Sequence, residues 1–233
     1  MKFLRLFGLV SLALLAAARA DVTIAQKIEG ATHDNHEMTI RVKGGMARFD
    51  VSAQVSMIID GKSGDLISLL NDQKKFVRIS IEQIKAIGDM AARFTGNKSS
   101  TEKPKLTPTG KKETINGYEA DEYTYESALF KGSYWISTSF PDAMAILKQL
   151  QAVSPEAWKS AMKGMPNYQD FSGLPLKSRV TIGNQEITST VVSVKQDPLS
   201  DAEFSVPKDF QEMKVPNMFG GKPPSKPDKS GDE

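Results

Sequence analysis

Two histidines form the cluster in this sequence that is best suited to bind a metal. His33 and His36 are the only histidines in the 233 residues, and Asp34 and Glu37 stand beside them. Imidazole and carboxylate groups can together complete a zinc or copper site. A polar turn between two strands explains the same residues, because no distant histidine completes the set. We therefore expect no metal and no other cofactor, and a metal protein that uses this pair is the least favoured function.

The acidic turn at residues 60–65 is a second candidate for metal binding. Asp60 and Asp65 flank Gly61 and Gly64, which resembles a calcium loop at first sight. A calcium loop needs several oxygen ligands at defined positions and a terminal bidentate glutamate. Lys62 lies in the middle of this segment and opposes a cation. The pattern predicts a plain hairpin turn.

Paired carboxylates could act as general acid and base, and four acidic residues lie close together at positions 119–126. Glycoside hydrolysis needs two carboxylates that face each other across a substrate. On a strand, side chains alternate between the two faces, so Glu122 and Glu126 share one face while Glu119 and Asp121 share the other. No isolated acid–base pair results, and solvated strand faces explain these residues.

Nucleophilic catalysis also lacks its sequence signature. The chain contains no cysteine and no Gly-x-Ser-x-Gly motif, and neither histidine has an evident serine partner. Glycine-rich loops that bind phosphates or dinucleotides are absent too. We therefore predict that the protein is not an enzyme.

The first twenty residues have the pattern of a signal peptide. Lys2 and Arg5 precede an apolar run of about a dozen residues, and Ala18 to Ala20 provide the small-x-small pattern of a cleavage site. A helix of that length is too short to cross a hydrocarbon core of about 30 Å. We expect cleavage after Ala20 and a periplasmic or secreted protein without a transmembrane segment.

Removal of this segment changes the charge of the protein. The full chain has 30 basic and 28 acidic residues. Loss of Lys2, Arg5 and Arg19 leaves a mature chain close to neutral, and nucleic-acid binding would require clustered positive charge. The expected partners are a hydrophobic ligand or another envelope protein, and no nucleic acid.

Short alternating strands separated by turns dominate the mature chain. Gly44-Gly45 and Asn116-Gly117 are typical hairpin turns, and Gly183-Asn184 predicts a third. The sequence from Ser80 to Gln83 fits a capping box at the start of a helix near residues 80–95. Residues 97–112 have no apolar periodicity and predict a surface loop, whereas residues 141–165 have helical periodicity.

These elements predict one α+β domain over residues 21–215, between the signal peptide at 1–20 and a disordered tail at 216–233. Consecutive hairpins with helical insertions imply a large, strongly curved antiparallel sheet with the helices covering its apolar face. The methionine-bearing helical region is either packed core or the lid of an apolar pocket, and both alternatives stay open.

Several segments together resemble an uncharacterised family of secreted bacterial proteins of unknown function. These are the strand pairs MTIRVKGGMARFDV and MIIDGKSGDLISLLNDQKKFVRI, the hairpin GKKETINGYEADEYTY and the closing FSVPKDF. The family in turn resembles the LolA/LolB-type lipoprotein carriers. The resemblance spans roughly residues 22–212.

The resemblance implies a half-open antiparallel β-barrel covered by helices, with a cavity able to hold acyl chains. The residues expected to line this cavity are Phe49, Met57, Ile59, Met144, Leu147, Trp158 and Met162. The function favoured by the sequence is non-catalytic binding or carriage of a lipid or acyl chain. The alternative is an envelope protein-interaction or chaperone-like module.

Overall fold

The computed structural model describes residues 21–30, 35–94, 105–127, 130–154, 165–182 and 185–214, with the backbone alone at 91–94 and 182. The expected signal peptide and C-terminal tail lie outside the described residues. His33, Trp158, Met162 and the Gly183-Asn184 turn lie outside them as well.

Twelve strands and two α-helices make up the described part of the chain. The strands are β1 Val22–Glu29, β2 His36–Lys43, β3 Met46–Asp50, β4 Val55–Asp60, β5 Leu66–Leu70, β6 Lys75–Ile79, β7 Thr107–Ile115, β8 Tyr118–Glu126, β9 Lys131–Ser137, β10 Leu174–Ile182, β11 Gln185–Lys195 and β12 Gln211–Glu212. The helices are α1 Ile81–Phe94 and α2 Ala143–Ala152, and two short 3-10 turns span Tyr168–Asp170 and Asp201–Phe204.

All twelve strands belong to one curved sheet, in the order β12-β6-β5-β4-β3-β2-β1-β11-β10-β9-β8-β7. Every neighbouring pair is antiparallel except β12, which runs parallel to β6. Within the described residues the edge strands β7 and β12 do not pair with each other, so the sheet is open. The predicted antiparallel sheet with helical cover is confirmed.

The predicted hairpins explain much of this order. Gly44 and Gly45 have positive φ angles of 57° and 89°, and Asn116 and Gly117 have 50° and 82°. Two-residue turns in this left-handed region match the twist of the strands that they join. These turns connect β2 to β3 and β7 to β8.

Strands β2 to β4 bury one face beneath α2, which we call the α2 face. The core cluster on this face includes Ile40, Val42, Ala47 and Ile59. Ile146, Leu147 and Leu150 of α2 belong to the same cluster. An amphipathic helix therefore covers an alternating apolar face, which is the packing that the sequence pattern predicted.

The predicted capping box begins α1. The Ser80 backbone N–H donates to Oε1 of Gln83 at 2.8 Å, and the Gln83 N–H donates to Oγ of Ser80 at 3.4 Å. Ile84 is buried, whereas Ile87 and Met90 are 40% and 39% exposed. Helix α1 thus packs through one stripe and leaves further apolar surface uncovered. Neither described helix has the length and apolar composition of a membrane span.

The loop predicted at residues 97–112 is wrong in its second half. Residues from Thr107 onward form β7, in which Thr107 pairs with Thr124 and Lys112 pairs with Asp121. This edge strand is exposed along eight of its nine residues, so no apolar alternation marks it in the sequence. An irregular register between Pro108 and Lys112 conceals it further.

The chain after β11 crosses the opposite face of β2 to β6, which we call the far face. Ion pairs join Lys43 to Asp201 at 2.8 Å and Arg41 to Glu203 at 3.2 Å. Phe204, at the end of this crossing, is buried. The closing segment is therefore held to the sheet by charge and by one aromatic side chain.

Candidate apolar binding surface

The predicted cavity residues Phe49 and Met57 lie opposite each other on β3 and β4. Both are half-buried on the α2 face. Their neighbours in the same cross-strand row are Ile40, which is buried, and Ser68, which is half-buried. The side chains of this row are therefore buried on β2 and only half-buried from β3 to β5.

The adjacent row is packed more tightly. Ala47 and Ile59 form the next cross-strand pair and are 0% and 8% exposed. A Cβ on Gly61, just beyond β4, would lie 2.6 Å from the backbone oxygen of Ala152. The C-terminal end of α2 therefore lies directly on the turn that follows β4, and the helix covers this row.

The two predicted lid residues on α2 differ in burial. Leu147 is fully buried and belongs to the main core cluster, whereas Met144 is 60% exposed. They are three residues apart and lie about 60° from each other around the helix, with Leu147 inside the buried stripe and Met144 on its flank. Trp158 and Met162, which the sequence predicts for the same lid, lie outside the described residues. Their lining role, like that of the other five residues, stays a prediction.

The surface around Phe49 and Met57 is mostly apolar. Val55 and Leu70 form the next pair on the α2 face of β4 and β5, and both are half-buried. We call the half-covered set Phe49, Val55, Met57 and Leu70 the apolar patch. Half-buried aliphatic, aromatic and methionine side chains on a sheet face suit an apolar ligand, because contact with it removes their remaining surface from water.

An aromatic cluster fills the β8–β9 end of the sheet. Tyr134 contacts Tyr125 edge to face, with ring centroids 6.4 Å apart, and contacts Phe171 at 5.4 Å. Burial, together with the neighbouring tyrosines, raises the pKa of Tyr134 to about 12. This end is thus closed by rings that stay neutral across the physiological range.

A polar cavity of about 560 Å³ lies away from the apolar patch and was not predicted. Its lining comes from the end of β1, the β7–β8 turn, β10 and β11. Residues from four separate strands meet there. No local motif in the sequence could have signalled the cavity.

The acidic residues that the sequence offers as metal-binding or catalytic candidates at positions 60, 119 and 121 have structural roles. The Asp60 carboxylate accepts a hydrogen bond from the backbone N–H of Lys62 at 2.8 Å, which stabilises the turn between β4 and β5. Glu119 and Asp121 share a face, as predicted, and both pair with Lys112 at 2.7 and 3.6 Å. Within the described ranges, no three histidine or acidic residues come together as metal ligands would.

The chain belongs to the DUF4412 family, a domain of unknown function, which matches residues 23–210. This confirms the resemblance to an uncharacterised family. No curated protein matches the chain in sequence.

Solved structures are similar to the chain at low identity. PNGF-II is 12% identical with a TM-score of 0.39, over 84% of this chain and 31% of that one. The Mycobacterium tuberculosis lipoprotein LppX is 13% identical with a TM-score of 0.40, over 78% and 88%. The LolA superfamily protein NE2245 from Nitrosomonas europaea is 14% identical with a TM-score of 0.29, over 79% and 89%. The chain spans about a third of the length of PNGF-II.

Proposed function

We propose that this DUF4412 protein binds an apolar ligand, a lipid or acyl chain, on the α2 face of its sheet, and that it acts by binding without bond chemistry. The observation that carries the proposal is the half-buried pair Phe49 and Met57 beside the fully covered pair Ala47 and Ile59. The cover provided by α2 stops partway across the sheet, and apolar side chains continue beyond it.

The energetics favour such a ligand. Each square ångström of apolar surface removed from water contributes about 25 cal/mol. The four side chains of the apolar patch retain surface in the free protein, so an acyl chain laid across them gains contact without first displacing packed core. Methionine at position 57 is flexible and polarisable, which suits ligands of varied shape.

Exposed apolar groups on the helices supply further contact area. Ile87 and Met90 of α1 and Met144 of α2 are each at least 39% exposed. In our proposal these helices form the cover of the site, and their exposed methionines adapt to the ligand. Trp158 and Met162 complete the proposed cover on the strength of the sequence pattern alone.

We propose that the protein acts outside the cytoplasm. The signal-peptide pattern at residues 1–20 supports export to the periplasm or the exterior, where the mature chain would meet lipids shed or transferred between membranes.

Native mass spectrometry of the exported protein, purified without detergent from the envelope of its host, tests the proposal. We expect a population heavier than the polypeptide by the mass of a lipid, which is lost on collisional activation. The Met57→Arg variant should lose this population, because a cation in the apolar patch opposes an acyl chain. A ligand-free spectrum, together with no rise in the unfolding temperature on addition of phospholipid or fatty acid, would contradict the proposal.

A further inference from the structure

The α2 face of the sheet changes from apolar to polar between β5 and the sheet edge. Lys75 on β6 pairs with Leu70 of the apolar patch, and Gln211 on β12 pairs with Lys75. Directly paired residues share a face, and Ser68 shares the face of Leu70 because it lies two residues before it on β5. We call Ser68, Lys75 and Gln211 the polar border of the apolar patch.

The polar border contains hydrogen-bond donors that the protein does not use. Within the described ranges, the Lys75 ammonium group has no ion-pair partner and the Ser68 hydroxyl has no hydrogen-bond partner. The neighbouring Lys74 differs, because it pairs with Asp209 at 2.8 Å. Lys75 and Ser68 are both half-buried. An ammonium group and a hydroxyl can both donate to one acceptor, and an ionised acceptor forms the stronger hydrogen bonds.

The acidic residues nearby do not oppose an anion at this border. Glu212 is the acidic residue of β5, β6 and β12, and it pairs with Phe76. Phe76 in turn pairs with Leu69, so Glu212 lies on the far face. Asp72 lies in the exposed β5–β6 turn and forms no ion pair with Lys75. The polar border therefore presents one uncompensated positive charge beside the apolar patch.

The dimensions of the apolar patch match a single extended hydrocarbon chain. Val55 and Met57 are two residues apart on β4, so the two cross-strand rows of the patch are about 7 Å apart. Lys75 on β6 and Phe49 on β3 are separated by three strand spacings, or about 14 Å. A ligand that reaches both residues therefore has a long and narrow apolar part.

We propose that the ligand of the apolar patch is a fatty acid, whose chain lies across the patch and whose carboxylate binds Lys75 and Ser68. This inference rests on the proposed function, because it assigns a headgroup to the same ligand. A carboxylate carries one negative charge, which one ammonium group balances. A diacyl phospholipid would bring two chains to a surface that is one chain wide.

Displacement of the neutral fluorophore N-phenyl-1-naphthylamine from delipidated protein at pH 8 measures the binding of each chain. Laurate, 1-dodecanol and dodecyltrimethylammonium have matched chains and carry a negative charge, no charge and a positive charge. We expect Lys75→Gln to weaken laurate binding about fivefold, because it removes a charge-assisted hydrogen bond at a partly exposed site. The same substitution should leave the Kd for dodecanol within twofold of wild type.

Two control variants separate the position of the charge from its presence. Arg78→Gln removes an exposed charge from the same strand, but Arg78 pairs with Ile67 on the far face, so laurate binding should not change. Lys75→Arg retains the charge and should bind laurate within twofold of wild type. If Lys75→Gln does not fold, the wild type decides, since it should bind laurate at least tenfold more tightly than dodecyltrimethylammonium.

The possible failures are distinguishable. No saturable displacement by either laurate or dodecanol would contradict the proposed function together with this inference. Saturable binding of both chains, with laurate unaffected by Lys75→Gln or bound no more tightly than the cation, would overturn the carboxylate site alone. Tighter binding of dodecyl phosphate than of laurate would overturn the assignment to a fatty acid and indicate a phosphate headgroup instead.

Discussion

The Nε atom of Arg48 donates a 2.8 Å hydrogen bond to Oδ1 of Asp50, two residues further along the same face of β3. Arg41 on β2 pairs with the other oxygen of this carboxylate. Arg48 also donates to the backbone oxygen of Glu203 at 3.0 Å, and Arg41 pairs with the Glu203 side chain. One carboxylate thus orients two arginines that fasten the closing segment to the far face.

Lowering the pH should weaken this connection, because it protonates the Asp50 carboxylate. Burial by itself raises the pKa of this carboxyl, but hydrogen bonds with Arg48, Ser56 and Arg41 outweigh burial and lower it below the usual value. A group with a lowered pKa stabilises the fold above its unfolded pKa of about 4 and loses that contribution as pH falls through the folded pKa. Asp50→Asn should therefore cost about 1–3 kcal/mol in the free energy of unfolding at pH 7 and less at pH 3.

Urea unfolding at both pH values measures this difference. Asp72→Asn, in the exposed β5–β6 turn, is the matched control and should change stability by less than about 0.5 kcal/mol. An Asp50→Asn protein that is destabilised equally at pH 3 and pH 7 would contradict the role of the charge.

Raising the pH should destabilise the folded protein through Tyr134. Its pKa is raised to about 12 by burial and by the neighbouring tyrosines, so the folded state holds its proton where the unfolded chain has lost it. The free energy of unfolding should consequently fall as pH rises from 10 towards 12, by on the order of 2–3 kcal/mol. Tyr134→Phe should reduce this slope, and Tyr125 and Tyr168, whose pKa values burial also raises, should supply the remainder. Tyr118→Phe, a half-buried tyrosine on β8, should keep it, and equal slopes in all three proteins would refute the assignment.

Gly61 should be intolerant of a side chain. A Cβ at this position would lie 2.6 Å from the backbone oxygen of Ala152 and 2.7 Å from that of Gly45. Because both obstacles are backbone, α2 or the β2–β3 turn must move, at a cost of about 1–3 kcal/mol. Thermal unfolding of Gly61→Ala measures the loss against Lys62→Ala, an exposed neighbour. A Gly61→Ala protein as stable as the wild type would show that α2 does not rest on this turn.

The antiparallel sheet could be predicted because its signals are local. Alternation through Met38, Ile40 and Val42, and glycine at positions 44 and 45, suffice to place two strands and their turn. The start of α1 is equally local, since Ser80 and Gln83 bond to each other within one helical turn. Elements of this kind are determined by residues that are close together in the sequence.

Features that depend on distant contacts could not be predicted. The exposed strand β7 has no apolar side to recognise, and its pairing with β8 is what makes it a strand. The different burial of Met144 and Leu147 follows from how α2 sits on the sheet. The polar cavity requires the hairpin at Asn116 to reach β11, which no local pattern encodes.

Titration with an apolar fluorescent probe tests the central claim, that the apolar patch binds an acyl ligand. cis-Parinaric acid, whose emission rises on transfer from water to an apolar site, would be added to delipidated protein. The test variant is the double substitution Phe49→Ser and Met57→Ser. The matched control is Ile67→Ser, a half-buried apolar residue on the far face of β5.

Our account predicts saturable binding to the wild type, a Kd at least tenfold weaker in the double variant, and a Kd within twofold of wild type in Ile67→Ser. A tenfold change corresponds to about 1.4 kcal/mol, which is less than the burial of one such side chain contributes. Urea unfolding confirms that each variant is folded before the comparison is made. Absence of saturable binding to the wild type, or the same Kd in the folded double variant, would contradict the account.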